Sequence, residues 1–316
     1  MKIVILDGFT LNPGDLSWQP LHDLGECKIY ERTDAQEVLA RCCDAQIVFT
    51  NKVILDASIL AQLPQLKYIG VTATGFNVVD TVAAKQLGVV VTNTPAYGSD
   101  SVAQFVFSQL LNWAQPVAYY NETVKQKRWA NSPDFCYYDA PMIELRNLTL
   151  GIVGYGAIGK KVAQIALGFG MQVLIHSRTE PQNLPDGIRF VVLDELAKGS
   201  DVISLHCPLN DTNKGFVNAA FLAKMKDSAY LINTGRGPLI NEADLLNALK
   251  TNVIAGAALD VLAVEPPDEN NPLFDVNNLT ITPHIAWATL AARQRLMGIA
   301  VKNLQDFLAG KNTNRV

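Results

Sequence analysis

Cysteine is scarce in this 316-residue chain, which carries only Cys27, Cys42, Cys43, Cys136 and Cys207. Five residues at irregular spacings cannot build a disulfide scaffold, and they match no zinc motif. They are expected to be reduced side chains in a reducing compartment, with no metal site. Long apolar runs are also missing. No stretch reaches the roughly 18 residues that a membrane helix requires. The opening Met-Lys-Ile-Val-Ile-Leu-Asp is too short for a signal peptide and reads as a first strand. Nor is there an excess of positive charge: 26 Lys and Arg stand against 30 Asp and Glu, for a net charge of −4 and a pI near 5.6. Without a basic run there is no general attraction for phosphate backbones. The expectation is a cytoplasmic protein with neither a nucleic-acid nor a membrane partner.

Apolar residues, by contrast, are plentiful. Hydrophobic residues make up 49% of the chain and charged residues 18%, which argues against disorder. At about 150 residues per domain, the length suggests two domains, each with its own core. Short apolar runs ending in turn residues, Lys2–Leu6, Cys27–Tyr30, Ala45–Thr50, Tyr68–Thr72 and Val89–Thr92, read as buried strands. Helical patterns at Ala35–Cys42, Ala57–Leu63 and Val78–Leu87 separate them. A second series follows at Leu148–Val153, Gln172–His176, Val202–Leu205, Tyr230–Asn233, Ile254–Leu259 and Leu279–Thr282, with helical stretches at Ala157–Leu167 and Glu242–Leu249. Strand alternating with helix implies parallel sheets covered on both faces. The expected fold class is α/β, with two doubly wound, Rossmann-like domains of five and about six strands. Between the two series, Ser99–Lys127 is helix-like with a break near Pro116, and Asn131–Pro141 is irregular. Ala288–Leu308, again helical, is expected to cross back onto the first unit.

The strongest local motif is Gly154-Tyr155-Gly156-Ala157-Ile158-Gly159, placed after the apolar strand Leu150–Val153 and before a helical pattern. Gly154 permits the tight turn, Gly156 lets the backbone approach a pyrophosphate, and Gly159 allows helix and strand to pack closely. The helix N-terminus adds N–H donors, so this is a dinucleotide cradle. An NAD site usually carries Asp or Glu at the end of the next strand, for the ribose 2′-hydroxyl. Here that strand ends Ser177-Arg178-Thr179, and no carboxylate appears until Glu180. An Arg flanked by hydroxyls suits a 2′-phosphate, which favours NADP(H) and leaves NAD(H) open.

Three ionisable residues also lie at strand ends: Arg236 in Asn233-Thr234-Gly235-Arg236-Gly237, Glu265 before Pro266, and His284 in Thr282-Pro283-His284. Ligands of open α/β sheets bind beyond the carboxyl ends of strands. Together with the glycine motif, the loop Val71–Asp80, Ser101-Val102-Ala103-Gln104 and His206-Cys207-Pro208-Leu209, these stretches resemble the D-isomer-specific 2-hydroxyacid dehydrogenase family over nearly the whole chain. Within it, His284–Thr289 resembles the bacterial glycerate dehydrogenases, or hydroxypyruvate reductases. Gln104 departs from the Glu of many relatives.

The resemblance implies a discontinuous substrate domain of residues 1–98 plus 288–316, with a dinucleotide domain of residues 99–287 inserted in it and a cleft between them. It implies a homodimer and a small 2-keto or 2-hydroxy acid substrate, hydroxypyruvate or glyoxylate. Arg236 would hold the substrate carboxylate and carbonyl. His284 would move the proton, and Glu265 would pair with the imidazole. Backbone N–H groups of Thr74 and Gly75 would complete the carboxylate site. Asp260 would orient the nicotinamide carboxamide, and Cys207, Pro208, Thr212 and Thr234 would touch the cofactor. Glu265 argues against a formate-oxidising relative. A short phosphoglycerate dehydrogenase, with Lys52 meeting a phosphate, and a nucleotide-sensing binding protein remain alternatives.

Overall fold

In the computed structural model, which describes residues 1–139 and 142–316, the chain divides into two compact units: Met1–Gly98 with Trp287–Val316, and Ser99–Ala286. The first unit is therefore assembled from both ends of the chain.

Its sheet has five parallel strands, β1 (Lys2–Ile5), β2 (Glu26–Ile29), β3 (Ile47–Thr50), β4 (Tyr68–Val71) and β5 (Val90–Thr92), in the order β2-β1-β3-β4-β5. The central β3 and β4 are buried at every residue, whereas edge strand β2 alternates between exposed and half-buried positions. That contrast follows from helices covering both faces of a parallel sheet. The Leu290–Leu308 helix covers one face, packing Leu296, Ala300 and Leu304 with Ile3, Ile5, Phe49 and Tyr68. It starts where the Thr289 hydroxyl caps the Ala292 N–H. Arg293 ties it down, with both guanidinium nitrogens 2.6 Å from the Asp15 carboxylate.

The second unit has seven parallel strands: β6 (Thr149–Val153), β7 (Gln172–His176), β8 (Ile188–Phe190), β9 (Val202–Leu205), β10 (Tyr230–Asn233), β11 (Gly256–Leu259) and β12 (Leu279–Ile281). Their order is β12-β11-β10-β9-β6-β7-β8. Strand order reverses between β6 and β9, the place where doubly wound sheets open a crevice. The sequence pattern missed β8, because a three-residue edge strand with an exposed Arg189 between Ile188 and Phe190 is too short to show a period. The expected break at Pro116 separates two helices, Ser99–Ala114 and Val117–Lys125, since proline has no N–H to continue the first. Val106, Phe107 and Leu110 of the Ser99–Ala114 helix pack with Leu150, Ile152, Val162 and Ala166. The irregular Asn131–Pro141 stretch begins in a 3-10 turn at Trp129–Asn131, and its last two residues lie outside the described residues. Among the described residues, no helix is long and apolar enough to cross a membrane.

Candidate active site

The glycine motif sits on the turn from β6 into the Ala157–Gly168 helix. Gly154 has φ of +101°, and a Cβ there would stand 2.4 Å from the Cys207 backbone nitrogen, so only glycine fits. A Cβ on Gly159 would lie 2.2 Å from the Gly154 carbonyl oxygen, which is how closely the helix rests on the turn. Gly156, at the N-cap, is different: nothing lies within 4 Å of a Cβ there. Tyr155 and Ile158 are half-buried, while Gly156 and Ala157 are exposed. The result is an open backbone mouth at the N-terminus of a 12-residue helix, the chemistry that a pyrophosphate requires.

A second observation also points to a ligand. Thr234 Oγ1, just past β10, is the one buried side-chain polar atom without a hydrogen-bond partner among the described residues. An unpaired buried hydroxyl costs about 1–3 kcal/mol, so a ligand polar atom fits there. The neighbouring residues are organised around the same edge. The Ser204 hydroxyl lies 2.8 Å from His206 Nε2, and burial drives the His206 pKa down to about 4, which keeps it neutral. Asn213 Nδ2 donates to the Pro208 carbonyl at 2.8 Å and lies 3.9 Å from Cys207 Sγ, whose thiol pKa burial raises. The Thr212 hydroxyl donates to Asn210 Oδ1 at 2.7 Å, so that side chain closes its own loop. At the end of β7, the Ser177 hydroxyl donates to the Thr179 carbonyl at 2.7 Å and shapes the turn. Arg178 and Thr179 are exposed, and Arg178 makes no ion pair among the described residues.

Arg236, Glu265 and His284 are brought together by a chain of backbone contacts. Asn233, fully buried at the end of β10, accepts the Gly235 N–H at 3.0 Å and donates to the Arg236 carbonyl at 2.9 Å, which fixes the turn under Arg236. Sequence reasoning missed Asn233. Its only signal was a polar residue closing an apolar strand ahead of Gly235-Arg236-Gly237. A Cβ on Gly237 would lie 2.0 Å from the Leu262 backbone, so the segment after Arg236 lies directly on the segment that carries Glu265. Leu262 N–H donates to Glu265 Oε1 at 3.0 Å, and Glu265 Oε2 lies 2.7 Å from His284 Nδ1. With Nδ1 donating to the carboxylate, Nε2 is the nitrogen left for chemistry. The Arg236 guanidinium is exposed, and its Nη1 donates to the Gly235 carbonyl at 2.8 Å.

Asp260, expected at the nicotinamide carboxamide, has both carboxylate oxygens committed to the 282–286 segment. Oδ1 accepts from the Thr282 hydroxyl at 2.7 Å and from Ile285 N–H at 2.9 Å, and Oδ2 accepts from Ala286 N–H at 2.8 Å. Its pKa is raised, because burial outweighs the lowering by these three bonds.

In the first unit, Thr74 and Gly75 lie in the loop after β4. The Thr74 hydroxyl donates to the Thr94 carbonyl at 3.1 Å, and Asn93 Nδ2 donates to the Thr74 carbonyl at 2.7 Å. Lys52 follows β3 in a loop held by Asp7, which accepts the N–H groups of Asn51, Lys52 and Val53. Among the described residues, no three His, Cys, Asp or Glu side chains gather as a metal site.

Residues 107–286 match the family model described as D-isomer specific 2-hydroxyacid dehydrogenase, NAD binding domain. The chain belongs to the D-isomer-specific 2-hydroxyacid dehydrogenase family. Its relatives include a hydroxypyruvate reductase of Blautia hydrogenotrophica, 47% identical over 100% of this chain and 99% of the relative. A glycerate dehydrogenase of Methylorubrum extorquens is 42% identical over 100% and 98%. Among solved structures, an NADPH-dependent glyoxylate/hydroxypyruvate reductase from Sinorhizobium meliloti, in complex with citrate, superposes with a TM-score of 0.85 at 28% identity, covering 100% of this chain and 97% of that one. The glycine cradle and the orphaned Thr234 hydroxyl fit the nicotinamide dinucleotide that a dehydrogenase of this family uses.

Proposed function

We propose that this D-2-hydroxyacid dehydrogenase reduces hydroxypyruvate and glyoxylate to D-glycerate and glycolate. The observation that carries the reading is the His284–Glu265 pair, 2.7 Å apart, on the segment that Gly237 packs beside Arg236. A relative named hydroxypyruvate reductase, one named glycerate dehydrogenase and a structural neighbour named glyoxylate/hydroxypyruvate reductase support the choice of substrate. When bound, the dinucleotide supplies the hydride; Gly154, Tyr155, Gly156, Ala157, Ile158 and Gly159 would hold its pyrophosphate and Thr234 one of its polar atoms. Arg236 holds the substrate carboxylate and carbonyl oxygens with its planar donors and stabilises the charge that develops on the carbonyl oxygen. His284 gives that oxygen its proton from Nε2, and Glu265, bonded to Nδ1, fixes the ring. Thr74 and Gly75 contribute backbone donors to the carboxylate. Purified protein should oxidise NAD(P)H with hydroxypyruvate and glyoxylate more efficiently than with pyruvate or 3-phosphohydroxypyruvate. A kcat/KM highest for the phosphorylated acid would instead assign Lys52 to a phosphate and make this a short phosphoglycerate dehydrogenase. No turnover with any keto acid would leave a nucleotide-sensing protein.

We place the enzyme in the cytoplasm as a homodimer. Its five free cysteines suit a reducing compartment. Val117, Tyr119, Trp129, Phe135 and Tyr138 expose apolar surface that a second copy would cover, with Phe135 89% exposed.

NADPH is the preferred cofactor in this reading. Arg178 is free to meet a 2′-phosphate, no carboxylate at position 177 repels it, and the S. meliloti neighbour is NADPH-dependent. Replacing Ser177 with Asp and Arg178 with Ala removes the attraction and adds repulsion. The NADPH-over-NADH ratio of kcat/KM should then fall at least about tenfold, about 1.4 kcal/mol. An unmoved ratio, or a parent that already prefers NADH, would show that Arg178 does not read the phosphate.

A further inference from the structure

Among the described residues, His284 is one of seven non-glycine residues with positive φ, at +55°. Left-handed backbone is uncommon outside glycine, and His, although it tolerates that region better than most residues, stays there only where its surroundings hold it. The chain enters the residue through a tight turn, with His284 N–H donating to the Thr282 carbonyl at 3.0 Å across Pro283. On either side of that turn, a single carboxylate grips the segment. Asp260 takes the Thr282 hydroxyl before His284, and the Ile285 and Ala286 N–H groups after it. Asp260 is itself anchored, because its N–H donates to the Asn233 carbonyl at 2.9 Å and its side chain is 2% exposed. The grip extends one step further. Gln109, buried in the Ser99–Ala114 helix, donates from Nε2 to Thr282 Oγ1 at 3.3 Å. The Thr282 hydroxyl therefore donates to Asp260 and accepts from Gln109, which orients its proton toward the carboxylate.

We infer that Asp260 and Thr282 form a clamp that imposes the left-handed conformation on His284, and that Thr282, with Gln109 behind it, is a positioning residue for proton transfer. The inference rests on the reading of His284 as the acid–base residue. Without the Thr282 hydroxyl, Asp260 Oδ1 keeps only the Ile285 N–H, and the strand side of the turn is held by backbone alone, through the Thr282 N–H to the Leu259 carbonyl at 2.9 Å. The imidazole then drifts from the register that Glu265 alone cannot set. Displacements of about 1 Å at a reacting group cost on the order of 100-fold in rate. Binding of the keto acid and of the dinucleotide should change little, since Arg236 and residues 154–159 are held by other contacts.

The test compares Thr282→Val, Thr282→Ser, Gln109→Met and His284→Ala with the parent, measuring kcat, the KM for hydroxypyruvate and the dissociation constant for NADPH by fluorescence. Thr282→Val should lower kcat by about 10- to 100-fold, with KM and the NADPH dissociation constant within about threefold of the parent. Thr282→Ser, which keeps the hydroxyl, should hold kcat within about threefold of the parent. Gln109→Met removes one neutral hydrogen bond and should cost about three- to tenfold in kcat. It also serves as the deciding variant should Thr282→Val not fold. A Thr282→Val enzyme with parental kcat, equal losses in the Val and Ser variants, a deficit explained by weaker NADPH binding, or a parental Gln109→Met where it decides would each overturn the clamp. A His284→Ala enzyme that turns over normally would instead overturn the acid–base reading beneath it.

Discussion

Replacing His284 with Ala should reduce turnover of hydroxypyruvate by about two to four orders of magnitude, the usual range for a lost general acid, with NADPH affinity near that of the parent. Alanine is the informative substitution here. Like histidine it carries a Cβ, so it leaves the left-handed strain at φ +55° in place, whereas glycine would relax it and change the loop as well as the chemistry. Among the described residues, the dinucleotide cradle at residues 154–159 makes no hydrogen bond to the 282–286 segment and should bind as before. Steady-state kinetics with both cofactors, beside a direct titration of NADPH, separates the two effects. Turnover near the parental rate at neutral pH would remove His284 from the mechanism.

Arg236→Lys is the second large effect. Lysine keeps the positive charge but replaces a planar fork of donors with a single compact ammonium. It cannot hold the carboxylate and the carbonyl oxygen together, so at least one charge-assisted hydrogen bond is lost, about 1.5–3 kcal/mol. The expected loss in kcat/KM for hydroxypyruvate is about 10- to 100-fold, and larger where the transition-state contact goes as well. The turn beneath the residue should survive, because the Asn233 side chain bonds backbone groups of Gly235 and Arg236 and not the guanidinium. A loss of only a few-fold, with an unchanged melting temperature, would reduce Arg236 to a cap whose Nη1 satisfies the Gly235 carbonyl.

The repeating pattern of short apolar runs was enough to determine two parallel sheets, since strands buried on both faces must read as unbroken apolar runs. The glycine motif was legible for a related reason. A backbone that turns at φ +101° within 2.4 Å of its neighbour tolerates only one residue type, so the letter itself reports the geometry. Arg236, Glu265 and His284 could be nominated because chemistry restricts which side chains hold a carboxylate or move a proton. What pattern could not supply was the partner of each group. Strand β8 has too few residues to show a period, and it becomes visible only through its pairing with β7. Asp260 was expected at the nicotinamide carboxamide, and its protein partners, residues 282, 285 and 286, become visible only in the folded chain. Asn233 and Gln109 look like unremarkable polar residues until the turn at 235 and the hydroxyl at 282 are placed beside them. Hydrogen bonds between residues 22 or 173 positions apart leave no local period or spacing. The sequence by itself thus determined most of the elements and which chemistry is present, because those depend on neighbours in the chain. Tertiary structure decided how His284 and Arg236 are held, because that depends on neighbours in space.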